Sequence, residues 1–88
     1  MEIKQNIFGK YKCPCCGFYT LIEAPINTFE DCPVCFWEID GLQQTDADYK
    51  GGANHVSLNQ AKENFKNFQA VEERFKDYVR PPLNIELA

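Results

Sequence analysis

The sequence predicts a small α+β domain in which two β-hairpins face each other across a metal ion and one or two C-terminal helices pack against them. Three observations carry that expectation. Four of the five cysteines fall into two C-x2-C pairs. Aromatic and β-branched residues flank both pairs. Beyond Ser57, apolar residues take helical spacing until Pro81-Pro82.

The chain has 88 residues, which sets the scale of a single domain spanning 1–88. Folding at that length buries roughly 64% of the unfolded surface, so the core is thin without further support. Hydrophobic residues make up 44% and aromatics 14%, which argues against disorder. Nine Lys and Arg against thirteen Asp and Glu give a formal charge of −4, the wrong sign for a strongly basic nucleic-acid binder. No apolar run is long enough to span a membrane, and the first ten residues lack the pattern of a signal peptide. The expected location is therefore the cytoplasm.

The cysteines are Cys13, Cys15, Cys16, Cys32 and Cys35. An odd number in a chain with no sign of export fits a closed disulfide framework poorly, whereas clustered reduced thiols suit a metal. Cys13 with Cys16, and Cys32 with Cys35, read as C-x2-C-x15-C-x2-C, within the range of four-cysteine zinc sites. A tetrahedral ion takes four thiolates, and each short turn presents two. Pro14 and Pro33 pre-set φ after the first Cys of each pair. Gly17 follows the second Cys of the first pair, where such a turn favours positive φ. Phe36 holds the matching place in the second, so the two turns are expected to differ. One zinc ion is the expected cofactor. Iron stays open, because the paired C-P-x-C turns are rubredoxin-like and a closed S4 site suits either metal. Cys15 is a spare, read as a non-ligand thiol or, alternatively, as a redox thiol beside the site.

Along the chain, residues 1–9 read as a tail or short edge strand. Lys10-Tyr11-Lys12 and Phe18-Tyr19-Thr20-Leu21-Ile22 make a hairpin with the first cysteine turn at its tip. Residues 23–27 read as a turn. Phe29-Glu30-Asp31 and Phe36-Trp37-Glu38-Ile39 flank the second turn, and Asp40-Gly41 closes it. Residues 11–40 thus form a metal ribbon on the zinc-ribbon or rubredoxin-like plan. Residues 42–56 are polar and glycine-bearing and read as a loop. Gly51-Gly52 lacks any phosphate-loop context and reads as a flexible or positive-φ turn. Residues 57–80 read as helical. Ser57 and Gln60 form a capping box, and Val56 is placed to staple onto Ala61. Leu58, Ala61, Phe65 and Phe68, then Val71, Phe75 and Val79, follow the helical period, as one helix or as two broken near Gln69-Ala70. The charged residues of this segment nearly balance and form a solvated face.

Four motifs resemble those of the cysteine-rich CPCC family of small bacterial proteins. They are Tyr11-Lys12-Cys13-Pro14-Cys15-Cys16-Gly17-Phe18; Cys32-Pro33-Val34-Cys35-Phe36-Trp37-Glu38; Gly51-Gly52-Ala53-Asn54 with Val56-Ser57-Leu58, Ala61 and Asn64-Phe65; and Val79-Arg80-Pro81-Pro82. The resemblance spans about residues 11–82. It implies a bacterial source and metal binding by the C-x2-C pairs, and supplies no activity. It also suggests that Asn54 pins its loop by hydrogen bonds to backbone, with Ser57 as helix N-cap. Gln69 stands where the family commonly has Gly, which argues against a helix break there. Ile39 stands where an acid would follow Trp-Glu.

These observations point to a small structural-zinc protein that acts as a protein-interaction module. Its partner is an unknown protein, anchored by exposed aromatics near Trp37, Phe36 and Tyr19. A nucleic-acid-binding zinc ribbon is the first alternative. It is weakened because residues 1–40 carry three basic against six acidic groups. A rubredoxin-like iron protein of electron transfer is the second. An enzyme is not expected. His55 is the only histidine, and nothing in sequence orients it toward Cys15.

Overall fold

The computed structural model describes residues 5–26 and 28–87. The expected fold class is found: a two-stranded antiparallel hairpin, a few short helices, and four cysteines clustered between two turns. Residues 1–4 of the expected N-terminal tail, and Asn27 of the expected turn, lie outside the described residues. The tail's remaining residues fold back in a tight turn, with Gly9 at φ 78° and a bridge from Gln5 to Tyr11.

β1 (Tyr11–Lys12) pairs with β2 (Tyr19–Leu21) in the register Tyr11 to Leu21 and Lys12 to Tyr19, with an irregularity between the two pairs. The second turn carries no regular strands. Its flanks meet through a single bridge, Asp31 to Glu38, with Phe29 N–H donating to Ile39 C=O and Ile39 N–H to Glu30 C=O. The aromatic content of both flanks is similar, but the second is closed by those bonds and one from Cys32 N–H to Trp37 C=O before the chain turns into a helix.

That helix, α1 (Gly41–Thr45), lies at the start of the 42–56 stretch expected to be loop. Asp40 is its N-cap and accepts from Leu42 and Gln43 N–H. The turn signal Asp40-Gly41 was thus a helix start. One helical turn has too few apolar residues for its period to stand out in sequence.

α2 (Leu58–Phe68) begins at its expected cap, with Ser57 Oγ accepting from Gln60 N–H at 3.1 Å. The box is half made, because the Gln60 side chain turns forward to Asn64 instead of back. Val56 and Ala61 both pack on the core, as a staple requires. The helix breaks after Phe68. Gln69 takes the left-handed conformation at φ 64°, despite not being glycine. Behind it, Val71 N–H donates to Cys35 C=O, and Asn64 Nδ2 donates to Val71 C=O. A 3-10 helix (Glu73–Tyr78) follows, and a second (Asn84–Glu86) lies past Pro81-Pro82. The expectation that Gln69 would favour continuity is corrected. Tertiary contacts to the second cysteine turn outweigh the modest αL penalty at one residue.

The core is built around the cysteine turns. Leu21, Val34, Trp37, Ile39, Leu58, Ala61 and Val71 enclose them. Trp37 is wholly buried, and truncating such a residue costs about 3–5 kcal/mol. Its Nε1 has no hydrogen-bond partner among the described residues.

Candidate metal centre

Each cysteine pair sits in the same backbone loop. In the first, Cys13 N–H donates to Phe18 C=O at 2.8 Å and Gly17 N–H returns to Cys13 C=O at 3.0 Å. In the second, Cys32 N–H donates to Trp37 C=O at 2.9 Å and Phe36 N–H to Cys32 C=O at 2.8 Å. Gly17 has φ 82° and Phe36 φ 73°. The expectation that the two turns differ is therefore corrected. Phe36 adopts the conformation that glycine takes freely, at a cost of about 1–3 kcal/mol. Its ring packs 4.7 Å from Phe75 and 6.0 Å from Tyr78.

The two loops bring the Sγ atoms of Cys13, Cys16, Cys32 and Cys35 within 4.8 Å of one another. Cys13 and Cys35 are 3.7 Å apart, and Cys16 and Cys32 3.8 Å. Sulfurs about 2.3 Å from a tetrahedral centre lie about 3.8 Å from each other, so these cross-pairs match two edges of a tetrathiolate site. The donor set fits a metal ion by chemistry and by spacing. Cys13, Cys32 and Cys35 are fully buried, and Cys16 is half-buried.

The thiols do not ionise independently. Hydrogen bonds from Cys13, then Cys16 and Cys35, hold the Cys32 thiol far below its ordinary range. Those involving Cys13 and the other thiols push Cys35 far up, and Cys16 and Cys32 raise Cys13. The opposed directions favour Cys32 as the first thiolate of the group, held by the neighbouring S–H groups; four adjacent negative charges require a cation. Two further contacts suit thiolate sulfur. Thr20 Oγ1 is 3.0 Å from Cys32 Sγ, and Trp37 N–H donates to Cys35 Sγ at 3.4 Å. Sequence gave no sign of Thr20, whose hydroxyl is aimed by the inward face of β2.

Cys15 is 8% exposed and stays outside the group of four. His55 is exposed and meets Arg74, with Nδ1 2.8 Å from Nη2. It lines a small cleft with Asp31, Glu38 and Phe75, whereas Cys15 lines a different groove. Desolvation, then the Asp31 carboxylate, raises the Glu38 carboxyl above its usual range.

Asn54 does pin its loop. Its Oδ1 accepts from Glu38 N–H at 2.9 Å, and its Nδ2 donates to Glu38 C=O at 2.8 Å and to Gln43 Oε1 at 2.9 Å. Gln43, unforeseen in a stretch read as loop, is fully buried and donates to Tyr49, Asn54 and Val56 carbonyls. A Cβ on Gly52 would stand 2.5 Å from Asp40 Oδ2 and 2.9 Å from Gln43. Gly51, at φ 95°, supplies the expected positive-φ turn. The glycine pair thus combines a turn with a close approach to the network behind the second cysteine loop.

Of the aromatics expected as an exposed anchor, Trp37 is buried, while Phe36 and Tyr19 are half-buried. Trp37 is removed from that role because it fills the space between the cysteine loops and α2. Among the described residues, no helix is long and apolar enough to cross a membrane.

The model of the family described as Cysteine-rich CPCC matches residues 11–86, and the chain belongs to that family. The match takes in all four clustered cysteines and continues past Pro82 to Glu86. No curated protein matches the chain.

Proposed function

We propose that this cysteine-rich CPCC protein holds one structural zinc ion on Cys13, Cys16, Cys32 and Cys35, and serves as a protein-interaction module rather than an enzyme. The observation that carries the reading is the sulfur spacing: two cross-pairs at tetrahedral-edge distance, presented by two loops with the same hydrogen bonds. Four thiolates from two closed turns form a filled coordination shell, which suits structural over catalytic zinc. Bound zinc would supply charge neutralisation and a cross-link; in small domains such a site contributes on the order of 10 kcal/mol to folding. That offsets the thin core of a chain this short. Four thiolates with one divalent ion also add two negative charges to the formal −4.

A reducing compartment, the cytoplasm, suits these thiols. The separate surroundings of Cys15 and His55 support the non-enzymatic reading. Burial of Trp37 removes the best base-stacking residue from a nucleic-acid surface. The interaction role draws its support from large apolar side chains left in solvent, among them Ile22, Ile26 and Leu42.

Native mass spectrometry beside the denatured mass tests the metal reading. One zinc lost on denaturation, with five free thiols, is the expected result. One iron replaces zinc by the rubredoxin-like alternative. Two disulfides and no metal overturn the reading.

A further inference from the structure

A groove of about 530 Å³ runs along the outer side of the first cysteine loop, within the ~300–1,000 Å³ range typical of ligand clefts. Its walls include Cys16, Pro25, Gln44 and Leu58, with Lys12 and Lys62 on its border. α2 places Leu58 and Lys62 one turn apart on a common face. Lys12 leans over the first loop, its Cε 3.9 Å from the position of a Cβ on Gly17. Gln44 Nε2 donates to Pro25 C=O at 2.8 Å, which fixes the opposite wall. The same wall segments carry Ile26 and Leu42, 60% and 58% exposed. Ion pairs among the described residues are Glu63 with Lys66, Glu72 with Arg74, and Glu86 with Arg80. Lys12 and Lys62 are in none of them.

We propose that this groove docks an acidic protein segment, with an apolar side chain seated between Pro25 and Leu58 and flanking carboxylates meeting Lys12 and Lys62. The proposal rests on the interaction-module reading and gives it a partner chemistry. Lys12 and Lys62 offset the two negative charges of the metal-loaded thiolates behind the groove, so on a protein of net charge −4 this apolar trough is a place where a negatively charged occupant meets two cations with little repulsion. The trough itself selects an apolar one. A nucleic-acid strand fits less well. The groove has no aromatic residue in its lining for base stacking, and two cations neutralise only two phosphates. An occupant here also covers Cys16, the most exposed residue of the four.

The test uses the full metal-loaded chain and a short end-capped peptide of alternating glutamate and leucine, with a lysine–leucine peptide as counterpart. The expected result is binding of the acidic peptide only, with amide shifts centred on residues 12–17 and 58–62 and slower release of metal to a chelator. Both lysines are exposed, so the Lys12→Glu/Lys62→Glu variant leaves the core intact. It weakens acidic-peptide binding roughly tenfold, as loss of two rim ion pairs implies, and shifts preference to the basic peptide. No binding, equal binding of both peptides, or indifference to charge reversal overturns the proposal. So does preferential capture of a single-stranded oligonucleotide. Shifts that map elsewhere overturn the groove and leave the interaction reading standing.

Discussion

The ring of Phe36 lies 4.7 Å from that of Phe75, while the Phe36 backbone sits at φ 73°. The contact joins a strained cysteine turn to the 3-10 helix that follows the break at Gln69. Tyr78 stacks on the same ring, and the Arg74 guanidinium lies 4.4 Å over Phe75. Phe36→Gly relieves about 1–3 kcal/mol of left-handed strain and, because Phe36 is half-buried, loses only part of the ~3–5 kcal/mol that a fully buried ring contributes. The two terms nearly offset, and the added freedom of glycine in the unfolded chain, about 0.5–1 kcal/mol, tips the net effect toward modest destabilisation. In a Phe75→Ala background the packing loss shrinks while strain relief remains. A double-mutant cycle by denaturant unfolding of the metal-loaded protein is expected to give a coupling of about 0.5–3 kcal/mol. Additive effects would mean that the aromatic cluster does not hold the turn.

Asn54 closes three hydrogen bonds that water cannot replace without entering the fold. Asn54→Ala leaves Glu38 N–H and C=O unpaired and takes one donor from Gln43. Destabilisation of about 2–4 kcal/mol follows, since each orphaned buried group costs about 1–3 kcal/mol. Faster amide exchange at Glu38 is the local signature. An effect below about 0.5 kcal/mol would place solvent already within the network.

Gly52→Ala puts a methyl group into the space of Asp40 Oδ2 and the Gln43 side chain. Overpacking of this kind costs about 1–3 kcal/mol. Gly51→Ala meets no atom within 4 Å and acts only through its φ of 95°. Unfolding midpoints of the two variants separate the causes. Changing Gly52 to serine is expected to be no milder than alanine, because the Cβ is the offending atom.

Thr20 Oγ1 lies 3.0 Å from Cys32 Sγ, and against a thiolate the hydroxyl is the donor. Thr20→Val keeps the shape of β2 and removes that bond. Loss of an outer hydrogen bond to a metal ligand typically weakens metal affinity by ~10–100-fold. Competition with a chromophoric chelator measures the change, and Thr20→Ser is expected to restore most of it. Equal affinities for wild type and Thr20→Val would show that the hydroxyl does not support the sulfur.

The four cysteines and their two turns were legible because spacing maps directly onto ligand geometry: proline, cysteine and glycine mark the backbone locally. Ser57 and the helical stripe were legible for the same reason. Gln43 was not. Its significance lies in bonds to Tyr49, Asn54 and Val56, and no period or motif encodes a single buried amide. Phe36 and Gln69 misled because residue type predicts φ only weakly where tertiary contacts hold the backbone. Trp37 misled in the other direction, since an aromatic near a metal turn reads equally as core or as anchor until α2 is placed against it.

Glu86 lies at 2% side-chain exposure in a bidentate pair with Arg80, at 2.8 and 2.9 Å, and accepts from Leu83 N–H at 2.8 Å. The Arg80 hydrogen bonds hold its carboxyl below the usual range. A depressed carboxyl stabilises the fold above its unfolded pKa, near 4.3 for Glu. The contribution fades as pH falls through the folded value. Thiolate protonation would release a bound metal over part of the same acid range, so the informative quantity is the difference in stability between wild type and Glu86→Gln. That difference is expected to favour wild type near neutrality, by about 1–3 kcal/mol after discounting for the partly exposed Arg80. It should narrow toward zero in acid. Arg80→Ala leaves a buried carboxylate without its cation, and desolvation then raises the Glu86 pKa. The pH slope assigned to Glu86 changes sign, so the variant loses least stability where Glu86 is protonated. Parallel wild-type and Glu86→Gln curves across the carboxylate range would show that Arg80 and Glu86 do not form this pair in solution.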